Sequence, residues 1–532
     1  MTTRARILAT LATASVAALA LAGCAGGGGG ASSGATGEPV QGGSLAFGIP
    51  DDMGCVDPQQ VSSNDNINIA KQTVASLTAQ NPETGEIEPW LAQEWTVSED
   101  ATEFTFTLRD GATFSDGTPI DAEAVKLNFE GIVELGSVAP LGGSYLTGLD
   151  SITVVDPSTV TIKFSQPSAQ FLQATSTHAL GLISADSVAL SQEERCAGDY
   201  IGSGPFVLDS YTPNSGAELS GREDYAWAPA FSENQAAPYL STLSFTVIPE
   251  SSTLTGALQS NQIQASANIS PLDQTVLSDA GFPLENRANP GVVYMWQPNI
   301  DHPIAGDEAV RQAMLHALDR DAIADLMTEA DRPATSLLSD STPNYSDQSD
   351  LLTYDPEGAK QTLDDAGWVE GADGIRERDG EKLSFTLDYW QPTTDQLQLM
   401  QQQLRAVGID MQLQQVTVAD MFSTINDEGN TGQWANLTRA DADALNSILG
   451  PNALYKSNRD TPELDEHLAA QATLLDPAER QAEVDATVKA FLEDAVVIPV
   501  FQLSTTIVTT PTTHGVNFDG QSRMDFQNAW TE

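Results

Sequence analysis

Gln396-Leu397-Gln398-Leu399-Met400-Gln401-Gln402-Gln403-Leu404-Arg405-Ala406-Val407-Gly408-Ile409-Asp410-Met411-Gln412-Leu413 changes its period along its length. Gln396 to Val407 repeats as a helix does. Gly408, of the residue type that most readily takes the left-handed backbone at a helix end, stops it. Ile409, Met411 and Leu413 then alternate with polar residues, the period of a half-buried strand. Helix, glycine, strand is the connection expected of an α/β lobe with a partly parallel sheet, because parallel neighbours need a crossover between them.

The same syntax recurs along the chain, with no internal repeat. Val310, Ala313, Met314, Ala317 and Leu318 share one helical face, and Asp307 is placed to cap the amino end. Asp355-Pro356 is an N-cap followed by a proline at the first helical position, and Gly367 is the matching stop. Strands are expected at Ser44 to Ile49 and at Thr102 to Leu108, where Phe104, Phe106 and Leu108 alternate before the Asp110-Gly111 turn. Ile152 and Val154 should pair with Val160, Ile162 and Phe164 across the turn Asp156-Pro157-Ser158, whose proline sets φ.

The amino terminus carries an address. Arg4 and Arg6 precede the apolar run Ile7 to Leu21, too short to span a bilayer and of the right length for a signal-peptide core. Leu21-Ala22-Gly23-Cys24 resembles the lipobox of bacterial lipoproteins, so Cys24 is the expected lipidation site, residues 1–23 the signal peptide and 24–42 a Gly/Ser-rich flexible tether. Several acyl chains on Cys24 would hold the mature protein on the extracytoplasmic face of the cell membrane. With the leader gone, 21 basic residues face 74 acidic ones. Such a surface repels nucleic acid and anionic lipid; it suits a solvated extracellular protein, and the acidity reflects habitat more than ligand. Beyond Cys24 only Cys55 and Cys196 remain. An even remainder in an oxidising compartment points to one disulfide, with two free thiols as the alternative, and neither cysteine has zinc-ligand spacing.

Trp90-Leu91-Ala92-Gln93-Glu94-Trp95, Phe104 to Gly111, Phe114-Ser115-Asp116-Gly117-Thr118-Pro119 and Asp121-Ala122-Glu123-Ala124-Val125 follow one another closely. Gly202-Ser203-Gly204-Pro205-Phe206, Ala309-Val310-Arg311-Gln312-Ala313, Tyr354-Asp355-Pro356 and Ile498-Pro499-Val500-Phe501 come later. In this order they resemble the signature of the peptide and nickel class, family 5, of extracellular solute-binding proteins, the receptors of dipeptide and oligopeptide ABC importers. Most of these motifs are scaffold on physical grounds: Arg109-Asp110-Gly111 and Asp116 to Pro119 are turn chemistry, and Trp90 and Trp95 suit core anchors.

The resemblance implies a periplasmic-binding-protein type II-like fold, α/β with mixed sheets, of the large class with an extra inserted subdomain. By position, lobe one takes residues 43–75, 203–289 and 499–532, the insert 76–202 and lobe two 290–498. A hinge joins the lobes, solute sits between them, and closure is a population shift driven by contacts made in the closed state. Permease subunits recognise the closed form and ATPases power release. A di- or oligopeptide is the leading solute; an oligosaccharide, another small organic solute or a nickel chelate is the alternative. The protein is expected to be a monomer without cofactor and not an enzyme.

The resemblance also places the cleft at Asp51 to Asp57, Tyr294 to Asn299 and Trp434 to Asp443. Candidate ligand residues are Met53, Trp296, Asn299, Trp390, Trp434, Arg439, Asp441 and Asp443. Peptide receptors often supply an aspartate for the ligand's amino terminus from the late segment. Here Trp434-Ala435-Asn436-Leu437-Thr438-Arg439-Ala440-Asp441-Ala442-Asp443 leaves its match ambiguous. Arg439 can clamp a carboxylate and either aspartate can take an ammonium; alternatively Arg439 and Asp441 pair with each other. The three tryptophans are cleft walls or core. His178, His302, His316, His467 and His514 are scattered, so no metal site is expected. A secreted hydrolase is the reading from another class. It lacks GxSxG, HExxH and CxxC, although a glycosidase-type carboxylate pair among 74 acids stays open.

Overall fold

Gly43–Ile49 buries Leu45, Phe47 and Ile49, because it runs through the middle of a sheet. It lies parallel to Leu240–Val247 on one side and to Ala265–Ser266 on the other. Antiparallel strands extend this to a seven-stranded mixed sheet: Leu284–Ala288, Ser504–Thr509, Ala265–Ser266, Gly43–Ile49, Leu240–Val247, Gly216–Gly221, Phe206–Thr212. Phe47 packs edge-on to Phe526 and beside Phe245, with centroids 5.5 and 5.7 Å away, and these rings centre the core of lobe one. The structure, a computed structural model, describes residues 37–532 except 329, 392, 428, 452 and 458–460 and the side chains of 418, 419 and 422. The expected signal peptide, the expected lipidation site Cys24 and most of the expected tether lie outside the described residues. Pro39–Glu532 is one compact unit, and no helix among the described residues is long and apolar enough to cross a membrane.

The insert is an antiparallel sheet of Ala92–Val97, Glu103–Leu108, Thr159–Phe164 and Leu149–Asp156, covered by the helix Ala122–Leu135. The period-two residues Phe104 and Phe106 point inward to Phe171, with edge-to-face centroids at 5.0 and 6.4 Å. Lobe two pairs Arg332–Pro333, Ile498–Gln502, Gly291–Pro298 and Gly432–Thr438 antiparallel. The helix Thr394–Ala406, Gly408 at φ +90° and the strand Asp410–Gln415 lead to a parallel pairing with Ser384–Tyr389. Asp307 caps Glu308–Ala317 by accepting from the Ala309 amide at 3.0 Å.

The chain crosses between the lobes twice. Leu284–Ala288 belongs to the first sheet and Gly291–Pro298 to the second, and the first crossing runs between them. At the second, Ile498–Gln502 pairs with Gly291–Pro298 in lobe two, and the chain passes to lobe one only between Gln502 and Ser504. The expected boundary at 499 is therefore too early, because Ile498 to Phe501 is a fully buried strand that completes the second sheet. Cys55 and Cys196 are bonded to each other, tying the loop after the first strand to the helix Gln192–Cys196. Beside them Arg195 pairs with Asp57 at 2.7 Å, both side chains almost wholly buried.

Candidate ligand-binding cleft

The two crossings form a hinge bound across itself. The Asn289 amide donates to the Leu503 carbonyl at 2.8 Å, and the Ala288 carbonyl accepts from Ser341 of lobe two and Ser522 of lobe one, both at 2.9 Å. Away from the hinge the insert and lobe two touch directly. Gln80 Nε2 donates to the Ala440 carbonyl at 3.0 Å, the Ala169 amide to the Ala472 carbonyl at 2.9 Å, and Arg439 to Ser144 Oγ at 3.2 Å. The Arg439 guanidinium also lies 4.6 Å from the centre of the Tyr145 ring, a cation–π contact across the same boundary. The lobes are closed on each other.

Of the expected ligand residues, several are absorbed by lobe two itself. Trp296 is wholly buried and stacks on Phe385, centroids 5.2 Å apart. Trp434 stacks on Tyr294 at 5.4 Å and donates its indole N–H to Thr393 Oγ1 at 2.9 Å. Both belong to the core of that lobe, where cross-strand pairing of Gly291–Pro298 with Gly432–Thr438 sets them side by side. Asn299 donates to the Asn430 carbonyl at 2.9 Å and joins two loops.

The acidic candidates are also engaged. Asp441 accepts two bonds from Arg480, at 2.6 and 3.0 Å; burial alone would raise its pKa, but the Arg480 charge holds it below the usual carboxylate range. Asp443 accepts from Gln471 at 2.9 Å and lies 3.4 Å from Arg439, and burial pushes it up to about 6. Arg439 therefore leans towards Asp443, and Asp441 has a different partner from the one considered on sequence. Met53 and Trp390 are open, at 71% and 41% exposure. Neighbouring Asp52 is a structural lock: buried, yet kept below the usual range by donation from Asn66 at 2.7 Å and Tyr211 at 2.7 and 2.9 Å.

The sequence did not single out two further charged groups. Asp65, in the first turn of Asn64–Ala70, accepts from Asn268 Nδ2 at 3.1 Å, and burial with the nearby Asp51 charge pushes it up to about 6. Arg523 sits in the turn between Asn517–Phe518 and Met524–Asp525 and interacts electrostatically with Asp519, Tyr145 and Asp65. Nothing local marks either residue. Arg523 is one basic residue near the end of a strongly acidic chain, and only that scarcity is legible. A separate cavity of about 440 Å³ opens between lobe one and the insert, lined by Lys71, His178, Arg287, Asp519 and Gln527 among others; none of the expected ligand residues borders it.

The family model of bacterial extracellular solute-binding proteins, family 5 middle, matches residues 86–456. The glutathione-binding protein GsiB of Escherichia coli strain K12 is 26% identical over 415 residues, 73% of this chain and 75% of that protein. The solved structure of NikA from Brucella suis in complex with Fe(III)-EDTA superposes with a TM-score of 0.79 at 24% identity, over 92% of this chain and all of that one. The oligopeptide-binding protein AppA from Bacillus subtilis, in complex with a nonapeptide, gives 0.74 at 19% identity, over 93% of this chain and all of that one. The last two show a shared fold. A match over more than half the chain, two lobes joined by two crossings and the motif order together place the protein among the bacterial extracellular solute-binding proteins of family 5, as a solute-binding receptor of an ABC importer.

Proposed function

We propose that this receptor captures a di- or oligopeptide between its lobes and presents the closed form to a membrane permease, without chemically altering the solute. The observation that carries the reading is the similarity over most of the chain to proteins named for binding glutathione, itself a small peptide. It acts as a monomer held on the extracytoplasmic face by acyl groups on Cys24, with the Gly/Ser-rich segment giving the lobes reach. Ligand contacts come from Met53 and Trp390, which stay exposed, while Arg439 holds the insert against lobe two. Trp296, Trp434, Asn299, Asp441 and Asp443 shape the lobe behind them.

The test is to purify the full-length protein from its own host in mild detergent and weigh the complex by native mass spectrometry before and after gentle denaturation. A ladder of peptide masses, recovered unaltered, is the expected result. A single sugar or metal chelate would overturn the peptide assignment and leave the receptor role standing. Steady conversion of added solute would show a catalyst instead. Among the described residues no group of three His, Cys, Asp or Glu side chains is placed to hold a bare metal ion, so a metal would arrive chelated.

A further inference from the structure

The cavity of about 440 Å³ between lobe one and the insert is lined wholly by those two parts, with no residue of lobe two in its wall. Closure of the lobes therefore does not assemble it. Its walls are already joined: Trp90 of the insert donates its indole N–H to the Tyr225 hydroxyl of lobe one at 3.1 Å, and Gln527 Nε2 donates to the Asn234 and Ala236 carbonyls at 3.0 and 2.7 Å. The volume falls within the range of sites for small organic molecules, about 300–1,000 Å³.

The lining offers ring surface together with unused hydrogen-bonding groups of both kinds. Trp90 and Phe231 are half-buried there, and the buried Tyr225 and Phe518 complete the aromatic share of the wall. Gln527 is only 4% exposed, yet its Oε1 accepts from nothing; Arg287 Nε and His178 Nε2, on two other lining side chains, are also buried without a partner. Among the described residues, neither the Asn517 and Gln521 side chains nor the amide nitrogens of Asn286 and Asn528 make a hydrogen bond, although the oxygens of Asn286 and Asn528 are used.

Charge narrows the occupant. Lys71 is taken by Asp519 at 3.0 Å and Asp525 at 3.9 Å, and Glu83, Glu233 and Glu285 add to a wall that repels anions. A cation would meet the acceptors and leave Arg287 and the amide donors unmet. A hydroxyl both donates and accepts, so it serves both kinds of group. We propose that this cavity is a second solute site, separate from the inter-lobe cleft, for a neutral polyhydroxylated ring compound such as a mono- or disaccharide. The C–H face of the ring lies against Trp90 and Phe231, and its hydroxyls meet Gln527, Asn517 and Gln521. The site fills alike with the lobes open or closed, and it does not depend on the peptide reading of the cleft.

The experiment titrates the full-length protein with glucose, maltose and trehalose up to about 10 mM, where even millimolar affinity is seen. Choline and citrate serve as cationic and anionic controls, and saturation-transfer NMR of the added compound is the readout. At least one sugar should bind and neither control should. Gln521→Ala and Phe231→Ala should each weaken the sugar about 3- to 10-fold, as expected for one hydrogen bond or one ring contact. Ser232→Trp fills the cavity and should abolish sugar binding while the co-purified cleft solute still binds, which separates a blocked site from a lost fold. Trp390→Ala, in the cleft, should leave sugar affinity unchanged. Because the Gln521 side chain makes no hydrogen bond, Gln521→Ala should melt at the wild-type temperature. Absence of binding by all three sugars, binding of choline or citrate in the cavity, or sugar binding that survives Ser232→Trp overturns the proposal. Sugar binding lost in Trp390→Ala and kept in Ser232→Trp would put the sugar in the cleft and overturn the peptide reading as well. A co-purified solute other than a peptide, with sugar binding still lost in Ser232→Trp and kept in Trp390→Ala, would overturn the peptide reading alone.

Discussion

Asp57 and Arg195 show how little a single side chain reveals without its partner. Asp57 lies in a segment expected to line the cleft, yet it is fully buried, and its carboxylate meets Arg195 next to the disulfide. Removing one member of a buried ion pair strands the other, so Arg195→Met should cost about 3–5 kcal/mol of stability. Urea unfolding followed by tryptophan fluorescence checks this, and adding Asp57→Asn to the same chain should restore part of the loss. His178 gives a second case. Burial, with Arg523 and Lys71 nearby and Asp519 only partly opposing them, pushes its pKa from 6.5 down to about 3. The unfolded chain therefore binds the extra proton first, and this residue's contribution to stability, complete above pH 6.5, is lost progressively as pH falls towards 3. Asp65 and Asp443, raised to about 6, act with the opposite sign between 3.8 and 6. They are common to both proteins in a comparison of His178→Gln with wild type. The variant's melting temperature should accordingly rise relative to wild type on acidification from pH 7 to 5, and a constant difference would refute the assignment.

Among the elements, the motif Gly202-Ser203-Gly204-Pro205 is explained by close approach. A Cβ on Gly202 would sit 1.9 Å from the Thr73 carbonyl oxygen, and one on Gly204 2.5 Å from the Thr73 carbonyl carbon. The Gly204 amide donates to Thr73 at 2.9 Å, and Ser203 Oγ accepts from the Ala75 amide at 2.8 Å, so the segment is clamped onto the chain just before the insert. Gly202→Ala must push two backbones apart. Its expected cost is more than about 3 kcal/mol, in the range reserved for core disruption, and the readout is loss of soluble protein or a lowered urea midpoint. Glycine at 408, by contrast, is needed for its φ of +90°, which ends one helix and releases the strand of a parallel pair.

Across the whole molecule, closure depends on a few polar contacts between insert and lobe two. Arg439 contributes two of them, to Ser144 and to the Tyr145 ring. Arg439→Met removes both while keeping much of the side-chain volume, which shifts the open–closed equilibrium by about 1–2 kcal/mol. Solute affinity should fall about 10-fold. Small-angle scattering of the unliganded variant should report a larger radius of gyration. A loss of affinity with no change in the unliganded shape would mean that Arg439 acts on the solute directly.

The amino-acid order alone was enough for the α/β class, the helix at Asp307, the helix–Gly408–strand unit and the pairing of Cys55 with Cys196 as one of two alternatives, because each rests on local period, turn chemistry or the parity of a short cysteine count. It also carried the family, through motifs that are mostly scaffold. It did not place the second crossing, since Ile498 to Phe501 is apolar in a way that suits either sheet and only pairing with Gly291–Pro298 assigns it. Nor did it separate cleft from core. Trp434 and Asp441 sit in the expected segment, but stacking on Tyr294 and the charge of Arg480 turn them inward. Asp57 and Arg195, distant in sequence, become a buried ion pair only when the loop after the first strand and the helix Gln192–Cys196 are folded together. Local interactions choose elements; which side chains are left without partners is decided by the packing of remote ones.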